Sequence, residues 1–122
     1  MLPLDEVVEI GCRVATALQD LHRQHVVHLD IKPSNIMFRP DGTAVLVDFG
    51  LSRQEHLPDL LEEEFTLPMG TGPYMSPEQV QFVRNDPRSD LFALGVMLYH
   101  LSTGERPFGQ PTSVRQLRRR LY

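Results

Sequence analysis

Between His28 and Asn35 the chain runs HLDIKPSN, which sets an imidazole, a carboxylate, an ammonium and an amide close together. Asp48, Phe49 and Gly50 follow, the aspartate 13 residues after Asn35. A carboxylate such as Asp30 at a strand end can orient a hydroxyl nucleophile and take its proton late in a transfer. Lys32 can set its ammonium against a transferring phosphoryl group. Asn35 and Asp48 offer hard oxygen donors, which Mg²⁺ takes together with phosphate oxygens and water. Phosphoryl transfer asks a protein mainly for positioning and charge neutralisation, and these four side chains supply both. Gly50 is expected to let the backbone turn sharply away from Asp48. Taken alone, HLDIKPSN is best explained as a polar turn between strands. Asp48-Phe49-Gly50 downstream tips the balance to catalysis.

Such residues need elements to hold them. From Leu4 to about Gln24, apolar residues fall at Leu4, Val7, Val8, Gly11, Val14, Ala15, Leu18 and Leu21, the spacing of a helix with one buried face. HVVH (His25–His28) is expected to form a short strand and IMF (Ile36–Phe38) a second. Ala44–Val47 forms a third, joined to the second as a hairpin through the Asp-Gly signal in RPDGT. Residues 51–77 show no sustained period and are broken by Pro58, Pro68, Pro73 and Pro77. QVQFVRNDPRSD is a short helix and turn. Asp90 is then the expected N-cap of LFALGVMLYHLST, closed by Gly104. That helix is apolar on nearly every face, more than a chain of 122 residues with one other long helix can readily bury.

A hydrophobic fraction of 41% is enough for a core, and a net charge of −4 is too mild to argue for nucleic acid or acidic lipid as partner. A single cysteine, Cys12, excludes an internal disulfide and suits a reducing compartment. The first residues lack a basic segment followed by an apolar run, and the longest apolar stretch is far short of the ~20 residues that span a bilayer. The expectation is a soluble, cytoplasmic chain with no visible membrane tether. His22, His25 and His28 recur every third residue, but no cysteine pairs complete a zinc set. Glu62–Glu64 and Arg118–Arg120 are assigned to solvated faces, and Met37 and Met97 to the core.

The ordered motifs resemble the C-lobe of a protein kinase of the eukaryotic-like serine/threonine class, as found in bacteria. HLDIKPSN is similar to the catalytic loop, Asp48-Phe49-Gly50 to the metal-binding motif and MSPE (Met75–Glu78) to the end of the activation segment. GTGPYM before it resembles the substrate-docking loop, and SDLFALGVMLYHLSTGERPF the central buried helix and its exit. The resemblance implies an α+β fold: a mostly helical lobe with a short β-hairpin carrying the catalytic and metal-binding loops. Residues 1–122 would form part of a catalytic domain, from the helix before the catalytic loop to the start of the helix after the central one. The implied cofactors are ATP and Mg²⁺, and the implied partner is a protein substrate presenting a serine or threonine. In that frame Asp30 is the catalytic base, Lys32 contacts the phosphate, and Thr71 bridges the two when substrate is docked. Asn35 and Asp48 hold metal, and Met37 lies beside the nucleotide with Met97 and Leu101. His28 and Phe49 would stack in a column anchored by Asp90, which also caps the backbone of the catalytic loop.

Departures from the pattern matter too. Leu29 stands where an arginine usually precedes the catalytic aspartate, and that arginine normally grips a phosphorylated activation loop. Phe92 replaces a frequent tryptophan, Ser76 a common alanine, and His25 a glycine at the end of the first helix. Lys32 is the only lysine, so the small-lobe lysine that anchors ATP lies outside these residues, as does the glycine-rich cover. A nucleotide-binding lobe in the same polypeptide is therefore the expected partner, and the 122 residues alone should be inactive. The alternative is a non-catalytic pseudokinase or protein-binding module.

Overall fold

The computed structural model describes residues 1–54, 72–81 and 85–107. Helix α1 (Leu4–Arg23) places Asp5 and Glu6 in its first turn and His22 and Arg23 in its last, both favourable to the helix dipole. Its buried stripe is Val7, Gly11, Val14 and Leu18. Leu4, Val8 and Ala15, expected on that face, are exposed. They lie roughly 40–80° round the helix from Leu18, so the apolar arc is wider than the surface available to cover it. Gly11 is where α1 meets the second long helix. A Cβ there would lie 3.1 Å from Leu98 Cδ1, so a larger residue would require the Leu98 side chain to shift. The helix ends as His25 enters the left-handed region at φ 60, which histidine tolerates better than most side chains.

Strand β1 (Val26–Val27) leads into the HLDIKPSN loop, which closes in a 3₁₀ turn at Pro33–Asn35. Strands β2 (Ile36–Phe38) and β3 (Ala44–Leu46) form the expected antiparallel hairpin, with Ile36 opposite Leu46 and Phe38 opposite Ala44. The turn between them uses Gly42 at φ 88, and the Asp41 carboxylate accepts from Thr43 N–H. A further strand, β4 (Arg53–Gln54), pairs antiparallel with β1. It falls in the stretch without period, because a two-residue strand is made by its tertiary partner and leaves no pattern.

Helix α2 (Pro77–Val80) is a single turn held by a reciprocal cap between Ser76 and Gln79. Helix α3 (Arg88–Thr103) begins three residues before the expected start at Leu91. Pro87 already has helical geometry (φ −61, ψ −20), and the Asp86 carboxylate accepts from Arg88 N–H. Asp90 is thus not the N-cap. It sits inside the first turn with its carboxylate aimed at the HLDIKPSN loop. Gly104 closes the helix at φ 79, as expected. Ala93, Leu94, Val96 and Met97 enter the core with Val14, Leu18, Ile31, Ala44 and Tyr74. Leu91, Gly95 and Tyr99 form an outward stripe at helical spacing, consistent with more apolar surface on α3 than this core takes in. Among the described residues, no helix is long and apolar enough to cross a membrane.

Candidate active site

The site is built on one loop, one hairpin and one buried carboxylate. Asp90 is 1% exposed and accepts from three donors. Its Oδ2 takes His28 N–H at 2.9 Å and His22 Nε2 at 2.8 Å, and its Oδ1 takes Leu29 N–H at 2.8 Å. A carboxylate out of water needs such partners, and two backbone N–H groups out of water equally need an acceptor. The role of Asp90 towards the loop backbone, expected from the resemblance, is therefore present in the geometry.

His28 carries the loop's other side. Its Nδ1 accepts from Asp30 N–H at 3.1 Å, so its Nε2 is the protonated nitrogen and donates to Val47 O at 2.9 Å. Its ring lies 4.8 Å from that of Phe49, tilted by 59°, which is the expected stack. One imidazole thus ties the Asp30 backbone to the segment that carries Asp48.

Asn35 is buried, and its Nδ2 donates to Asp30 O at 2.8 Å and, more weakly, to Asp30 Oδ2 at 3.3 Å. Lys32 Nζ lies 3.8 Å from the same Oδ2. Val47 N–H donates to Asn35 O at 2.9 Å, so the hairpin register sets Asp48 one residue beyond the partner of Asn35. Asp48 itself is in the left-handed region at φ 58. This corrects the part assigned to Gly50: the sharp turn is made by the aspartate, and Gly50 does not use a positive φ. Gly50 instead permits a close approach. Its N–H points at Asp48 Oδ1 at 3.4 Å, and an added Cβ would lie 3.3 Å from that oxygen.

The structure thus brings Asp30, Lys32 and Asn35 into direct contact and sets Asp48 at the neighbouring strand end. With its Nδ2 committed to Asp30, Asn35 keeps Oδ1 as an acceptor, and Asp48 is exposed with oxygens available at the surface. Two hard oxygen donors of this kind fit Mg²⁺. Met37 does not behave as a core residue: it is 62% exposed on β2, because side chains alternate along a strand and its face of the hairpin looks outward. Met97 is buried as expected. Thr71 lies outside the described residues.

Two functional-looking contacts escaped the sequence. His22, one of three histidines at regular spacing, is the third partner of Asp90. Gln79 sits 5% exposed, with Nε2 donating to Leu29 O at 2.8 Å. Only its Ser-x-x-Gln spacing from Ser76 was available as a signal, and that spacing speaks of a helix cap.

Comparison with known proteins places the chain in a family. The family described as protein kinase domain matches residues 1–121. The serine/threonine-protein kinase PknL of Mycobacterium tuberculosis is 41% identical over 107 residues, 88% of this chain and 26% of the relative. The serine/threonine-protein kinase pkn3 of Myxococcus xanthus is 43% identical over 123 residues, 92% of this chain and 22% of the relative. A probable serine/threonine-protein kinase of Clostridium perfringens is 34% identical over 113 residues, 93% of this chain and 16% of the relative. The chain therefore spans about a quarter or less of the length of these relatives. Since the family match takes in every element from α1 to α3, the chain belongs to the protein kinase domain family.

Proposed function

We propose that this chain is the catalytic-loop portion of a serine/threonine protein kinase, which transfers the γ-phosphoryl group of ATP to a protein hydroxyl. The observation that carries the reading is the Asp30–Lys32–Asn35 cluster: a carboxylate with an ammonium 3.8 Å away on one oxygen and an amide donating to the same residue's backbone carbonyl and, more weakly, to that oxygen. Asp30 orients the incoming hydroxyl and receives its proton as the new O–P bond forms and the bond to ADP breaks. Lys32 lays positive charge against the transferring oxygens. Asn35 Oδ1 and the Asp48 carboxylate would hold Mg²⁺, which when bound offsets phosphate charge. Thr71 would bridge Asp30 and Lys32 in the substrate complex, and the exposed Met37 would lie against the nucleotide.

The nucleotide's remaining supports belong to a lobe that we place in the same polypeptide, ahead of residue 1, with the protein acting in the cytoplasm. Lys32 being the only lysine here supports this, since none is left to anchor ATP from above. The 122 residues by themselves should then transfer no phosphate.

Asp30→Asn in the protein carrying both lobes tests the reading. Transfer to a protein substrate should fall by roughly 10²–10⁴-fold while ATP binding persists, because Asp30 faces the nucleophile. Asp48→Ala should weaken Mg²⁺-dependent ATP binding as well. Undiminished turnover by Asp30→Asn would sink the assignment. A wild-type protein that binds ATP and transfers nothing would make it a pseudokinase.

A further inference from the structure

Four consecutive backbone polar groups around Asp30 are each tied to a side chain. Leu29 N–H donates to Asp90 Oδ1, and Leu29 C=O accepts from Gln79 Nε2, both at 2.8 Å. Asp30 N–H donates to His28 Nδ1, and Asp30 C=O accepts from Asn35 Nδ2. His28 and Asn35 belong to the loop itself, and Asp90 to α3. Gln79 alone comes from α2, at the end of the segment that follows Asp48.

Gln79 is committed at both ends of its amide. Its Oε1 accepts from Ser76 N–H at 3.1 Å while Nε2 holds Leu29 O. Ser76 Oγ in turn accepts from Gln79 N–H and shares a 2.8 Å hydrogen bond with Ser89 Oγ on α3. Turning the amide over would set oxygen against oxygen and N–H against N–H, so the contact has a fixed sense. The residue it holds needs holding. Leu29 sits at φ 70, a conformation that L side chains avoid and that persists only where its surroundings enforce it. The Leu29 side chain is buried, so this position offers no cation through which a loop phosphate could pull on the catalytic aspartate.

We propose that Gln79 is a positioning residue for the phosphoryl transfer: its amide fixes the Leu29–Asp30 peptide, and so the Asp30 carboxylate, to the anchor of the activation segment. The link is neutral and permanently made, and stands in place of a phosphate-dependent one. The proposal rests on the kinase reading above.

Two variants in the two-lobe protein test it, read as kcat and KM for ATP well below either melting temperature. Gln79→Leu removes the donor, and Gln79→Glu keeps the shape but turns an ionised oxygen on Leu29 O. Both should lower kcat by about tenfold or more, with KM for ATP within about twofold of wild type, since misplacing a reacting group can cost up to about 10²-fold. Protonation of the new glutamate restores an O–H donor, so the ratio of Gln79→Glu to wild type should climb as pH falls from 8 to 6, while that of Gln79→Leu stays flat. The ionisable groups around this position, Glu78 on its own helix, His28 and Asp30 on the loop, and His22 and Asp90 behind them, are common to wild type and both variants, so the ratio isolates the new carboxyl. In the 122-residue chain, Gln79→Leu should also speed hydrogen exchange at the Leu29 and Asp30 amides. A kcat within twofold of wild type for both variants, or a Gln79→Glu ratio that does not move with pH, overturns the proposal. If the wild-type protein transfers no phosphate, the kinase reading fails instead; amide exchange then decides the clamp, unchanged rates overturning it and faster rates supporting it.

Discussion

Replacing Asp90 by alanine should loosen the catalytic loop more than any other single change on α3. The substitution removes the acceptor from two backbone N–H groups, those of His28 and Leu29, at 2.9 and 2.8 Å. Both residues are buried, so water does not readily take the place of the carboxylate. An orphaned buried donor costs about 1–3 kcal/mol, giving about 2–6 kcal/mol for the pair. His22 also loses its partner, but its side chain is partly exposed and can turn to solvent, so it adds little. Against a domain stability of about 5–15 kcal/mol, the loss is large. Hydrogen exchange at the His28 and Leu29 amides reports it locally: with each 1.4 kcal/mol worth tenfold, the rates should rise by about 30-fold to 10⁴-fold. Asp90→Asn keeps one acceptor and turns an amide on the other donor, so it should fall between wild type and alanine. Exchange within threefold of wild type for Asp90→Ala would refute the view that this carboxylate holds the loop.

Asp86→Ala should cost about 1 kcal/mol in urea or thermal melting, since its carboxylate accepts from Arg88 N–H at the start of α3. Hydrogen bonds from the Arg88 side chain hold the Asp86 carboxyl below its ordinary 3.8, so this stabilisation is present above that pH and is lost as pH falls through the depressed value. An acid melt in which Asp86→Ala differs from wild type as much at pH 2 as at pH 6 would contradict this. Full activity should not require loop phosphorylation, because Leu29 removes the usual phosphate-gripping cation and only Ser52 and Thr66 offer hydroxyls between Gly50 and Gly70. Phosphatase-treated wild type and the Ser52→Ala, Thr66→Ala double variant should both keep most of their turnover; loss in either refutes the point.

Much of the site could be read along the chain because it is local. Asp30, Lys32 and Asn35 share one turn, and the Asp-Gly turn fixes the hairpin that brings Asp48 to the adjacent strand end. Local spacing says nothing of who supports the loop from afar. Gln79 lies 50 residues from Leu29 and His22 lies 68 from Asp90, and neither contact has a periodic trace. The start of α3 was misplaced for a related reason. An aspartate before an apolar run is the ordinary sign of an N-cap, and only the tertiary need of two buried N–H groups diverts Asp90 from that duty. Met37 was misread because hydrophobicity marks what can be buried, whereas the pleat of β2 decides which way it faces. Gly50 was credited with a turn that Asp48 makes, since glycine advertises left-handed geometry without always using it.

The pairing of β1 with β4 has a bearing on how the site comes together. Val26 meets Gln54 and Val27 meets Arg53, so everything from His28 to Ser52 is one excursion of the chain whose two ends are fastened to each other. All four residues proposed to act on phosphate or metal lie within it. Closing a loop of this size costs only a few kcal/mol. The residues proposed for phosphoryl transfer therefore sit on a short circuit closed by β1 and β4, apart from α3. A break in the chain beyond Gln54 would leave that circuit closed, while one inside it would open it. Asp90 on α3 then holds the loop's conformation from outside that circuit.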